Sequence, residues 1–120
     1  MKEFALKKFE RIRRSVEFEE IFKKGEKRHT ENFLVILHPN QQKLRRLGIV
    51  VGKKAGTAVE RNRIKRLVRE FFRLNKAHFP ESVDLLFVAK RKPEKLSYAD
   101  VAGELKVIFS APFQKTQQNP

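Results

Sequence analysis

The sequence predicts an α/β (α+β) two-layer sandwich: a small mixed sheet of three to four strands with three helices, in the order α-β-β-(β)-α-β-α. Three observations carry this. Between Thr57 and Lys76 the apolar residues Ile64, Leu67, Val68, Phe71 and Phe72 recur at i, i+3, i+4, i+7, i+8, the spacing of a helix with one core-facing stripe. Three short runs, at Asn32–His38, Leu47–Val51 and Val83–Ala89, are nearly continuously apolar and bounded by turn residues, as strands are. Finally, 120 residues with 40% hydrophobic content and eleven Phe suffice for one core but not for two domains of ordinary size.

Taken in order, residues 1–14 read as a basic arm lying over a single domain of residues 1–111. Ser15 caps a short helix with Glu17 in its first turn, Gly25 at its end, and Phe18, Ile21 and Phe22 on one face. Residues 26–31 add a short polar edge strand. The strand Asn32–His38 closes at Pro39-Asn40, and the loop QQKLRR leads into Leu47–Val51. A short polar loop between two strands predicts antiparallel neighbours. Gly52-Lys53-Lys54-Ala55-Gly56 is a basic loop, after which Thr57 and Glu60 have capping-box spacing and start the long helix. That helix ends before Pro80, with 75–79 as a frayed exit. Val83–Ala89 is apolar enough to be central. Ser97, with Asp100 three residues on, caps a last helix lined by Tyr98, Val101, Leu105, Ile108 and Phe109, and residues 112–120 form a polar, disordered tail. The strand–helix–strand crossover around the long helix has a right-handed prior.

Charge narrows the function. The 28 Lys and Arg against 14 Asp and Glu give +14 and a pI near 10.5, an excess that self-repels unless a polyanion binds it. The N-terminus lacks the apolar stretch of a secretory signal, and no run is long enough for a membrane span. A cytoplasmic location is therefore expected. With no cysteine, disulfides, thiolate metal sites and thiol catalysis are excluded. His29, His38 and His78 lack ligand spacing, and no Ser-His-Asp set or carboxylate pair emerges, so neither catalytic nor metal residues are assigned.

Two features suit RNA. From Lys53 to Lys76 there are nine basic and two acidic residues, whereas a passive solvated face mixes both signs. Arg61, Asn62, Lys65, Arg69 and Arg73 fall opposite the apolar stripe as a cationic ridge, and Lys53 and Lys54 precede a helix N-terminus that favours phosphate. The other feature is aromatic. Phe18 and Phe22, four apart, suit either the core or stacking against unpaired bases, with Arg11, Arg13 and Arg14 upstream to hold phosphates.

The run GKKAGTAVERNRIKRLVREFF, with Arg61-Asn62-Arg63 followed by Ile64-Lys65-Arg66, closely resembles the bacterial ribonuclease P protein subunit. Similarity extends from about Leu6 to Phe109, including Phe18-x-x-x-Phe22-x-x-Gly25, Arg46-Leu47-Gly48 and Val83-Asp84 through Ala89-Lys90. The resemblance implies a non-catalytic subunit of a ribonuclease P holoenzyme, pairing 1:1 with ribonuclease P RNA and assisting hydrolytic removal of the 5′ leader from precursor tRNA, with Mg²⁺ held mainly by the RNA. It implies that Lys53, Lys54, Arg61, Asn62, Arg63, Lys65, Arg66 and Arg69 contact the catalytic RNA. Arg11, Arg14, Phe18, Phe22, Phe33 and Lys90 would line a leader-binding cleft. It also implies a left-handed crossover, against the generic prior. Where the family often has Tyr, this chain has Ile36, so one contact to the leader is expected to be absent. The alternatives are a structural, ribosomal-type RNA-binding protein and a self-sufficient nuclease.

Overall fold

The computed structural model describes residue 12 and residues 15–110; the arm at 1–14 other than Ile12, Arg11 and Arg14 among it, and the tail at 112–120 lie outside the described residues. Helix α1 (Ser15–Lys24) leads into strand β1 (Glu26–His29), β2 (Phe33–Pro39) and β3 (Arg45–Val51). Then come α2 (Ala58–Leu74), β4 (Val83–Ala89) and α3 (Tyr98–Leu105). The polar segment after Gly25 is thus an edge strand, as expected.

The four strands lie in the order β1-β2-β4-β3, with β4 antiparallel to β2 and parallel to β3. This corrects the expectation that β2 and β3 are neighbours. Strand β4, whose first five residues are all buried, takes the place between them, and the 3₁₀ turn and α2 carry the chain from β3 to its parallel neighbour. Burying the most apolar strand in the middle, and leaving polar β1 (EKRH) at the edge, removes the most apolar surface from water.

Alternation along the strands divides the interior in two. Phe33, Val35 and Leu37 of β2 and Leu85 and Phe87 of β4 face the stripe Ile64, Leu67, Val68, Phe71 and Phe72 of α2, together with Val101, Ala102 and Leu105 of α3. Leu34, Ile36 and Leu86 point to the other face, where α1 supplies Ile21 and Phe18. Ile12 joins this second cluster and donates its backbone N–H to Leu47 O on β3 (2.8 Å).

Local signals set the α2 start. Thr57 Oγ1 accepts from Glu60 N (3.2 Å) while Glu60 Oε1 accepts from Thr57 N (3.0 Å), the expected capping box. The far end is pinned rather than frayed: Asn75 Nδ2 donates to Phe71 O, a 3₁₀ turn follows, and Phe79 buries its ring against Phe72 and Phe109. Ser97 Oγ accepts from Asp100 N and starts α3 as expected. On that helix Glu104 clamps the β1–β2 turn, accepting from Thr30 Oγ1 (2.5 Å), Asn32 N (2.6 Å) and Asn32 Nδ2 (2.8 Å).

Candidate RNA interface

On α2 the cationic face is centred on the exposed residues Asn62, Arg66 and Arg69, with Lys65 half-buried at its margin and Lys53 and Lys54 exposed in the preceding 3₁₀ turn. Several basic residues of the helix also bond within the protein. Arg61 Nε donates to Gly56 O (3.1 Å), Arg63 Nε to Leu96 O (2.7 Å), and Arg73 pairs with Glu70 (2.5 Å). Arg61 thus also holds the loop before α2, and Arg63 the segment before α3.

The helix N-terminus, expected to favour phosphate, already carries an anion of its own. Its capping box places the Glu60 carboxylate there, and Lys92 Nζ lies 3.0 Å from Glu60 Oε2. The terminus is served by an internal anion, which leaves Lys53 and Lys54 as the cationic feature of this end. The Thr57 backbone N–H, followed by the Lys92 ammonium, holds the Glu60 carboxyl below the ordinary carboxylate value. A lowered folded pKa means the associated stability is present above the unfolded value, about 4.3, and is lost as pH falls through the folded one. Glu60→Gln is therefore expected to flatten the acid limb of a melting-temperature profile taken at roughly pH 2–5 while changing little near neutrality.

The second feature lies on the sheet face that carries α1. Strand register builds two adjacent rows across all four strands. In the first, Gly48, Leu86, Ile36 and Lys27 are in register and α1 lies over them. A Cβ at Gly48 would stand 2.7 Å from Phe18 Cε1, and one at Gly25 would stand 2.4 Å from Ile36 Cγ2. These two glycines let the helix sit down on the sheet. Lys27 Nζ donates to Phe22 O (2.6 Å) and ties the helix end to the edge strand.

The second row, Val50–Val88–Leu34–His29, runs alongside. Val50 and Val88 are partly buried and His29 is exposed, so this row is the floor of a trough with α1 as one wall. Three inter-strand steps give it a length of about 14 Å. Phe22 of α1 is 42% exposed, and the half-buried Phe18 packs over Gly48 of the first row. Lys90, beyond Val88 on the same face, places Nζ 3.3 Å from His29 Nδ1.

The α1 wall is fastened by charge. Arg46 binds Asp84 through two bonds (Nε–Oδ1 2.8 Å, Nη2–Oδ2 2.9 Å) and reaches Glu17 of α1 (3.2 Å), while Asn40 Nδ2 donates to Asp84 Oδ1 (2.8 Å). The hydrogen bonds to Asp84 raise the Arg46 guanidinium above its ordinary value.

One expected cleft residue needs revision. Phe33 does not line the trough: its parity on β2 turns it to the α2 face, where it is 0% exposed. Ile36, at the position where a stacking residue was expected to be missing, is itself 0% exposed beneath Gly25. Phe18, Phe22 and Lys90 do share one face. The sequence reading missed His29, Val50 and Val88; the alternation Lys27/His29 along the edge strand was the available signal for the first. Among the described residues no group of three or more His, Asp or Glu side chains is gathered as a metal ion requires, and no helix is long and apolar enough to cross a membrane.

A cationic helix packed on one face of the sheet, and a trough with an aliphatic floor beside α1 on the other, suit an RNA-binding α/β domain. Known proteins carry the identification further. The family model described as Ribonuclease P matches residues 6–112. The chain is 44% identical over 118 residues to the ribonuclease P protein component of Syntrophus aciditrophicus, covering 98% of this chain and 99% of that protein. It is 45% identical over 109 residues to that of Desulfovibrio desulfuricans, covering 88% and 84%. Among solved structures, the Staphylococcus aureus RNase P protein superposes with a TM-score of 0.75 at 33% identity, covering 82% of this chain and 91% of that one. The Thermotoga maritima RNase P protein gives 0.71 at 36% identity, covering 83% and 94%. The chain belongs to the ribonuclease P protein family.

Proposed function

We propose that this chain is the protein component of ribonuclease P, holding the catalytic RNA on the α2 face and the 5′ leader of precursor tRNA in the trough beside α1. The observation that carries the reading is the pairing of two chemically different RNA surfaces on one small domain. Structured RNA is met as phosphate and shape, which suits Arg66, Arg69, Asn62, Lys65, Lys53 and Lys54. An unpaired leader is met by stacking, which suits Phe22 and Phe18 above an apolar floor, with Lys90 for its backbone.

The chain's contribution to cleavage is electrostatic and positional. Catalytic RNA and leader are both polyanions, and cations fixed between them lower their repulsion. Confining the leader on the sheet holds the scissile bond's neighbourhood in register with the RNA. We assign Mg²⁺, which activates water for phosphodiester hydrolysis, mainly to the RNA. One protein per RNA and a cytoplasmic complex complete the proposal.

Phe22→Ala tests the trough with the least disturbance of packing, since this ring is the more exposed of the two. Base–aromatic stacking contributes about 1–3 kcal/mol, so the preference of the holoenzyme for precursor over mature tRNA should fall by about fivefold or more, as read in equilibrium binding. An unchanged preference counts against the leader assignment. Protein–RNA affinity itself should fall with salt at a log–log slope of roughly −0.7 to −0.9 per phosphate contact.

A further inference from the structure

Strand β1 closes one end of the trough, yet none of its four residues is buried. An edge strand without buried side chains is held by its ladder and by whatever reaches it from other elements. Here the help comes from the opposite layer. Ile108 O, just past α3, accepts from Arg28 Nη1 (2.5 Å), and the half-buried carboxylate of Glu104 on α3 binds Thr30 and Asn32 in the turn that follows β1. Three bonds of 2.5–2.8 Å to one ionised group are of the strong, charge-assisted kind.

The chain leaving β4 is fastened to the same turn. Lys90 N donates to Asn32 O (2.8 Å), and the Arg91 guanidinium donates to Glu31 O. Asn32, 9% exposed, therefore works in two directions: its N–H and Nδ2 bind Glu104, and its carbonyl holds the backbone of Lys90. A lysine side chain is long and loses much rotamer freedom when it is used, so the placement of its backbone decides where the ammonium can reach. Glu104 touches neither the trough floor nor α1, but its bonds fix the turn from which Lys90 is set.

We propose that Glu104 is a positioning residue for the precursor-tRNA leader, acting through Asn32 to place Lys90 at the β1 end of the trough. This inference rests on the trough being the leader site. Asn32→Asp sets two carboxylates against each other. Adding Glu104→Gln restores the bond with its direction reversed, the new amide donating to the new carboxylate. The readout is the ratio of affinities of the reconstituted holoenzyme for precursor tRNA and for leaderless tRNA, at temperatures where melts show each variant folded. That ratio should fall by about threefold or more in Asn32→Asp and in Glu104→Ala, the effect of one misplaced exposed ionic contact. It should recover in the double variant, and affinity for ribonuclease P RNA should not change. A role in stability alone would lower the melting temperature and leave the ratio where it was. In a Lys90→Ala background, Asn32→Asp should cause no further fall. A wild-type ratio in the folded variants, or an undiminished further loss on Lys90→Ala, overturns the role of Glu104 while leaving the leader site standing. Equal binding of the two tRNAs by the wild-type holoenzyme removes the leader site and this role with it.

Discussion

Reversing two charges on the α2 face, Lys65→Glu with Arg66→Glu, is expected to weaken assembly with ribonuclease P RNA by about 100-fold. Charge-assisted contacts contribute about 1.5–3 kcal/mol each when well formed. Discounting that for exposure leaves roughly 1.4 kcal/mol, or tenfold, per site. The fold should hardly register the change: Arg66 is exposed, Lys65 is half-buried, and neither belongs to the apolar stripe. Surface substitutions of this kind stay within about 0.5 kcal/mol. Filter binding at fixed salt measures the first effect and a thermal melt the second. Arg63→Glu is a poorer probe, since it also removes the bond to Leu96 O that ties α2 to the segment before α3.

Asp84→Ala is expected to produce the largest loss of stability among the polar positions. Asp84 is 5% exposed and holds both Arg46 and Asn40. Its removal leaves the Arg46 guanidinium in a largely buried position with Glu17 as its remaining charge partner. Breaking one side of such a pair costs about 3–5 kcal/mol, which lowers the melting temperature by roughly 10 °C or more in a domain of this size. Arg46 also reaches α1, so the variant should lose preference for leader-bearing tRNA at temperatures where it is still folded. Asp84→Asn keeps an acceptor and should fall between wild type and Ala. A full-length melt followed by circular dichroism, paired with precursor-tRNA binding, separates the two consequences.

The parts of this molecule readable from sequence are those governed by neighbours along the chain. The α2 start follows from Thr57 and Glu60, three residues apart, and its buried stripe follows from a 3.6-residue period. The start of α3 at Ser97 is of the same kind. Strand order is not local, and there the reading failed: nothing between Pro39 and Arg45 reveals that β4, more than 30 residues on, will separate β2 from β3.

The same limit governs the site. Cations on one helix face share a period and were legible, although the bonds of Arg61 to Gly56 and of Arg63 to Leu96 were not. Phe33 was assigned to the cleft, but which sheet face a strand residue takes depends on where α1 docks. That docking is set by close approaches at Gly48 and Gly25, visible only in three dimensions. His29 is an isolated histidine in the sequence. It becomes a candidate only when register aligns it with Leu34, Val88 and Val50 and brings Lys90 to its ring.

The central claim is that this domain acts by joining a catalytic RNA to an unpaired leader. The most direct measurement is cleavage of precursor tRNA by ribonuclease P RNA at low Mg²⁺, with and without the purified, RNA-free protein. Protein and RNA together should release the 5′ leader far faster than RNA alone. The gain should shrink as salt rises, and the protein by itself should not cleave. An RNA-alone rate unchanged by the protein, or cleavage by the RNA-free protein, would contradict it.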